Sequence, residues 1–193
     1  MRTFKCLLVI VSILLAAPAL AFDEHRQGFV LGFGAGLHTI DIDFIDSGST
    51  IASQSKSGLA TSLKIGGGIT NQFALYYVRN ASWYSAPYSD GFTVKDITYV
   101  IGITGIGASY FFSPSAPSAY LLAATGVGDI TAPFESGVSS DTGSAYMFGA
   151  GYEFSNHAMF EATLLSTKLD SADISTLSVE SSSLQITLNY VFY

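Results

Sequence analysis

Apolar residues fall on every second position along several separate stretches of this chain, a period that strands use and helices do not. In 183–193, Leu184, Ile186, Leu188, Tyr190 and Phe192 share one face, and Ser183, Gln185, Thr187 and Asn189 share the other. The run 144–154 sets Tyr146, Phe148, Ala150, Tyr152 and Phe154 against Met147, Gly149, Gly151 and Glu153. In 29–39, Phe29, Leu31, Phe33, Ala35 and Leu37 oppose Gly32, Gly34, Gly36 and His38. In 59–69, Leu59, Thr61, Leu63, Ile65 and Ile69 oppose Ser62, Lys64, Gly66 and Gly68. Less regular runs at 73–83, 97–112, 119–129 and 158–168 bring the candidates to eight strands. In 97–112 the apolar parity changes from odd (Ile97, Tyr99, Ile101, Ile103) to even (Ile106, Ala108, Tyr110, Phe112). A β-bulge near Thr104-Gly105 is the expected cause. The phase of 119–129 is open.

The connections alternate in length. Asn71-Gln72, Ser113 to Ser118 and Ser155-Asn156-His157 are short and rich in turn residues. Polar stretches at about 41–57, 84–96, 130–142 and 169–181 read as longer loops. Short turns at one end and long loops at the other describe an up-and-down barrel. Charge then decides its solvent. Only 12% of the residues are charged, about half the share of a soluble domain. The polar strand face carries Gly, Ser, Thr and Asn instead of the Lys and Glu that would dress a water-facing lipocalin-like barrel. After residue 21 no stretch of about 18 apolar residues appears, so a closed barrel is the remaining way to span a membrane. The fold expected is all-β: an eight-stranded antiparallel transmembrane β-barrel. A net charge of −7 argues against nucleic acid as a partner.

Residues 1–21 read as a signal peptide. Arg2 and Lys5 precede the apolar run Cys6 to Leu15, and Ala19-Leu20-Ala21 is a small-x-small cleavage site. Cleavage there leaves a barrel domain at 22–193, beginning at Phe22, without the single Cys and with a net charge of −9.

Tyr-x-Phe recurs at Tyr110-Phe112, Tyr152-Phe154 and Tyr190-Phe192, each closing an even-numbered strand just before a short turn or the chain end. These six aromatics are the candidate girdle at one membrane interface. With the leader, the eight strands, the run Gly149-Ala150-Gly151-Tyr152-Glu153-Phe154 and the aromatic C-terminus, residues 22–193 resemble the small outer-membrane barrels of Gram-negative bacteria. These are the OmpA/OmpX-like and opacity-protein-like surface antigens. The resemblance implies a monomer in the outer membrane, in contact with lipopolysaccharide and inserted by the barrel-insertion machinery. It also implies a structural or surface-interaction role. Tyr193 extends one residue beyond the outward Phe192, a departure from the family's usual aromatic terminus.

Lys64, Arg79, Glu153 and Glu161 are the candidate luminal network, with His38, Gln185 and Asn189, because a charge facing lipid at mid-depth costs about 2–4 kcal/mol. A plain two-residue turn at Asn71-Gln72 sets Lys64 opposite Arg79. The chemistry expected is a filled lumen without catalysis, cofactor or metal. A lipid-modifying enzyme would need an activated Ser beside a His and an acid. His157 has no Ser beside it in sequence, and His25 and His38 belong to other stretches. Asp41-x-Asp43-x-x-Asp46 lacks the spacing of a calcium loop. A narrow channel or carrier for small apolar molecules is the other alternative. The long stretches collect ten acids: Asp43, Asp46, Asp90, Asp96, Asp129, Glu135, Asp141, Asp170, Asp173 and Glu180. An acidic rim of this kind suits an extracellular surface partner.

Overall fold

Alternation of the kind just described has one consistent outcome in a chain with no sheet edge to spare: the strands pair in sequence order until the last meets the first. The computed structural model describes residues 25–89, 93–135, 140–171 and 176–193. The leader at 1–21, the start at Phe22, and Asp90, Phe92 and Asp173 lie outside the described residues. Eight strands follow one another: β1 (Gly28–Asp46), β2 (Ser49–Thr70), β3 (Phe73–Ser89), β4 (Val94–Phe111), β5 (Ser118–Thr131), β6 (Asp141–Ser155), β7 (Ala158–Asp170) and β8 (Leu177–Phe192). Each pairs antiparallel with its neighbours and β8 pairs with β1, closing the barrel. Stepping once round the ring through paired residues, from Leu31 by Ile65, Tyr77, Ile106, Thr125, Tyr146, Ser166 and Ser182, arrives at Asp41, ten residues further along β1. That stagger tilts the strands and leaves an interior just wide enough for side chains.

Three expectations are corrected. The polar stretches 41–57 and 84–96 are not long loops: β3 and β4 take up 84–89 and 94–96, and β1 and β2 run on to a two-residue turn, Ser47-Gly48, where both residues have positive φ (51° and 81°). Type I′-like geometry of this sort fits the twist of a hairpin. Nor is there a bulge near Thr104-Gly105, since β4 pairs without a register shift against both β3 and β5.

The parity change has another cause. The odd positions of β4 face inward throughout, so Ile97, Ile101 and Ile103 are buried in the lumen while Ile106 and Tyr110 lie exposed outside. The barrel reverses its polarity partway up. Below the reversal apolar side chains face out: Phe33, Leu37, Leu59, Ile65, Ile106, Phe148, Leu164 and Ile186 are all exposed. Above it Asp41, Ser55, Ser166, Lys168 and Ser182 face out, and Ile40, Ile42, Tyr84, Ile101, Leu169 and Val179 pack inside. Water bathes the upper wall and lipid the lower one, so the outward face is polar above and apolar below; the interior is apolar at the top and, lower down, sets its ion pairs among buried Val78, Phe111, Leu122, Met147 and Met159. The open phase of β5 resolves too, with Tyr120, Leu122 and Ala124 inward and Leu121 and Val127 outward.

The third correction concerns Arg79. Paired straight from the turn, Arg79 would meet Lys64, but Ile69 is bulged between Gly68 and Thr70. One inserted residue slips the register, Lys64 pairs Val78, and Arg79 pairs Leu63 on the outward face.

Candidate functional site

The lumen is filled in tiers. At the periplasmic mouth Arg26, just ahead of β1, folds inward and is 3% exposed. Its guanidinium pairs with Glu153 of β6, with Nε to Oε2 at 2.7 Å. It also donates to the carbonyls of Asn71 (2.8 Å) and Ser113 (2.7 Å), one in each of two turns, and lies 4.1 Å over the Phe111 ring. Tyr193, past the end of β8, turns in and donates its phenol to the second oxygen of Glu153 at 3.1 Å. Burial, and then the Glu153 carboxylate, push the Tyr193 pKa up, which keeps the donor protonated. Glu153 therefore ties Arg26, just ahead of β1, to Tyr193, just past β8.

One level higher, Lys64 of β2 pairs with Glu161 of β7 across the lumen. Tyr120 donates to the same carboxylate at 2.6 Å, Lys64 lies 5.3 Å from the centre of the Tyr76 ring, and Tyr76 shares a 2.7 Å hydrogen bond with Ser109. The remaining void beside them is about 20 Å³. Above this pair lies an uncharged layer. Asn80 donates to Gln185 (3.1 Å), Gln185 to Ser82 (3.0 Å), and Ser82 bonds Ser183 (2.8 Å), while Ser62 bonds Asn189. His38 spends Nε2 on the Trp83 carbonyl at 3.0 Å, and His157 spends Nδ1 on that of Val191 at 2.9 Å. The apolar cluster of Ile40, Ile42, Tyr84, Ala86, Ile101, Leu169 and Val179 closes the top.

Close backbone contact makes such a narrow interior possible. A Cβ on Gly36 would collide with the Ile186 carbonyl, and one on Gly151 with the Tyr120 ring.

Of the four expected luminal residues, the structure brings Lys64 to Glu161 and leaves Glu153 to Arg26, a partner the strand pattern did not indicate. Arg26 precedes the first alternating run, so only the need of a buried carboxylate for a cation pointed to it. Arg79 is outside. Its Nη2 meets Asp129 Oδ2 at 2.9 Å, Nη1 reaches the other carboxylate oxygen and Thr104 (3.2 Å), and the side chains of the pair are 26% and 19% exposed. The guanidinium passes over Gly102, where a Cβ would stand 2.9 Å from Nη1. Rising from the level of Leu63 towards Asp129, it snorkels to the upper edge of the apolar belt.

Substituting Arg79 by Leu alone lowers stability by about 1 kcal/mol, as for other half-exposed pairs. The double variant Arg79→Leu with Asp129→Leu is at least as stable as the parent, because lipid then meets no charge. Urea midpoints in vesicles check both outcomes.

The six Tyr-x-Phe aromatics lie on the outward side at the periplasmic ends of β4, β6 and β8. Tyr110 and Phe112 pack edge to face at 5.8 Å, and Tyr190 and Phe192 at 4.9 Å. Among the described residues no group of three His, Cys, Asp or Glu is placed to hold a metal.

Several solved structures resemble this one distantly. Ail, the attachment invasion locus protein of Yersinia pestis, is 14% identical over 84% of this chain and 99% of its own, with a TM-score of 0.49. OprG of Pseudomonas aeruginosa is 12% identical over 88% and 99%, also at 0.49. Neisserial surface protein A is 16% identical over 82% and 96%, at 0.48. Likenesses this distant carry no argument about role. No curated protein matches the sequence. The family model of the outer membrane protein beta-barrel domain, by contrast, matches residues 7–192. A closed eight-stranded ring, dressed with apolar side chains outside and ion pairs within, belongs to that family, and its place is the outer membrane of a Gram-negative cell.

Proposed function

We propose that the barrel is a non-conducting, non-catalytic scaffold that carries an acidic rim to the cell surface for contact with basic partners. The observation that carries this reading is the filled lumen. Two ion-pair tiers, an amide and hydroxyl layer and an apolar cap follow one another along the axis. A solute would have to displace all of them, and separating either buried pair costs several kcal/mol. Function then falls to the surface beyond the belt. There β1 and β2 extend to their turn, and Asp46, Asp141 and Asp170 stand at the upper strand ends.

The test has two arms. Purified protein in planar bilayers gives no stepwise conductance. Cells displaying it are retained on a polylysine-coated surface, and substituting Asp46, Asp141 and Asp170 together by Lys weakens retention, more so at low salt. Discrete conductance steps, or retention indifferent to the charge reversal, would overturn the reading.

A further inference from the structure

Above the apolar belt the ring of strands has a slit. β2 and β3 pair from Thr70 and Phe73 up to Leu59 and Trp83, and there the ladder between them ends. Both strands run on, β2 along β1 through residues 49–58 and β3 along β4 as far as Ser89. Among the described residues no strand pairs with the far side of either one. His38 marks the foot of the slit, where its Nε2 takes the Trp83 carbonyl at 3.0 Å. The wall on the other side of β1 stays shut, since β8 follows β1 up to Asp46.

The parity of the ladder identifies the groups that face this slit. Successive residues of an antiparallel strand direct their N–H and C=O to opposite neighbours. Phe111 N–H donates to the Gln72 carbonyl, so odd residues of β4 bond even residues of β3, and odd residues of β3 point towards β2. The pairing of Trp83 with Leu59 carries that direction to the odd residues of β2. Above this pair Ser53, Ser55 and Ser57 therefore aim their main-chain donors and acceptors into the slit. On the facing edge the corresponding residues are Ser85, Pro87 and Ser89, and Pro87 has no N–H to offer. Proline blunts the β3 edge, whereas β2 remains an open template.

Side chains narrow the occupant. Ser53, Ser55 and Ser57 are small, exposed and outward, and the first two donate their hydroxyls to Asp43 and Asp41 of β1, away from the slit. A strand added to β2 lies two strand spacings, about 10 Å, from those carboxylates. With only serines between, Lys or Arg on its outward face reaches across to them. Its inward residues meet half-buried Gln54 and Lys56, which suits small polar side chains and not further cations. A second copy of β2 offers only serine outward at the matching positions, so it supplies no such cations.

We propose that the free edge of β2 takes up an extended segment of a basic partner protein as an added strand, bonded main chain to main chain at Ser53, Ser55 and Ser57. Alternate Lys or Arg side chains lie towards Asp41 and Asp43. The partner's charge rests on the reading of the acidic rim given above; the main-chain edge does not.

The full barrel in lipid nanodiscs is titrated with a short fluorescent peptide of alternating Thr and Lys, and anisotropy reads binding. The peptide binds, and its isotope-labelled carbonyls move to the infrared band of a β-sheet. N-methylation of its lysine amides keeps every charge, removes the donors and weakens binding about tenfold. Ser55→Pro, which removes an edge N–H and none bonded to β1, weakens binding similarly, while Ser55→Ala binds as the parent does. Heat-modifiable gel mobility verifies that both variants are folded. Equal binding of the plain and N-methylated peptides would overturn the added strand and leave the acidic rim standing. Failure of the plain peptide to bind while cells are still retained on polylysine would do the same. A parent that sediments as a dimer, and that Ser55→Pro makes monomeric, would assign the edge to a second copy and also overturn the proposal.

Discussion

Replacing Glu153 with Ala lowers the unfolding free energy by about 3–5 kcal/mol, the cost of leaving a buried charge without its partner. The stranded charge is the Arg26 guanidinium, which keeps only two carbonyls and the Phe111 ring. Tyr193 loses its acceptor as well, so Arg26 and Tyr193 loosen together. A structural reading of the pair makes a second demand. The variant Arg26→Met with Glu153→Met recovers most of the loss, because apolar replacement of a buried pair is commonly neutral or stabilising. Urea unfolding followed by tryptophan fluorescence in lipid vesicles measures both; Trp83 is the single reporter. A loss below about 1 kcal/mol for Glu153→Ala, the range of surface pairs, would mean that water reaches the mouth and the clasp is not closed.

The second large effect is expected at the next tier. Lys64→Met leaves Glu161 in the lumen with the Tyr120 phenol and without its cation, and costs about 3–5 kcal/mol for the same reason. Glu161 Oε2 already has no hydrogen-bond partner among the described residues, so the carboxylate has little else to lean on. Adding Glu161→Met to Lys64→Met restores the midpoint to near that of the parent. Among the described residues no side-chain hydrogen bond or ion pair joins the two tiers, which meet through the Phe111 and Tyr120 rings at 4.7 Å, so the losses from Glu153→Ala and Lys64→Met couple by no more than about 0.5 kcal/mol. Strong non-additivity would show that the two tiers form one network.

These effects rest on residues whose placement was unequally legible. Lys64 and Glu153 sit in runs of clean alternation and Glu161 in a less regular one, and the cost of a charge in lipid directs all three inward. Arg79 sits in a run of equal length and goes the other way, because a single bulged residue at Ile69 moves every later partner by one. Nothing in the local residues announces a bulge whose extra member is another apolar residue. Ile101 and Ile106 teach a related lesson. Both are apolar, five residues apart on one strand, yet Ile101 faces the apolar interior and Ile106 the lipid, because the outer surface changes from water to lipid between them. A parity change in such a chain marks a change of solvent as readily as a change of register.

The residues by themselves determined the class of structure: period-2 runs, scarce charge and a Gly-rich second face admit a small membrane barrel and little else. That information is local, carried by the direction of successive side chains along each strand. Tertiary structure alone decided the partners. Glu153 meets Arg26, 127 residues away in sequence, and Arg79 meets Asp129 across the outer face of β4. Pairings of this kind depend on register and on ring closure, which are properties of the whole sheet. The charge deficit names the solvent; the stagger of the closed barrel names the neighbours.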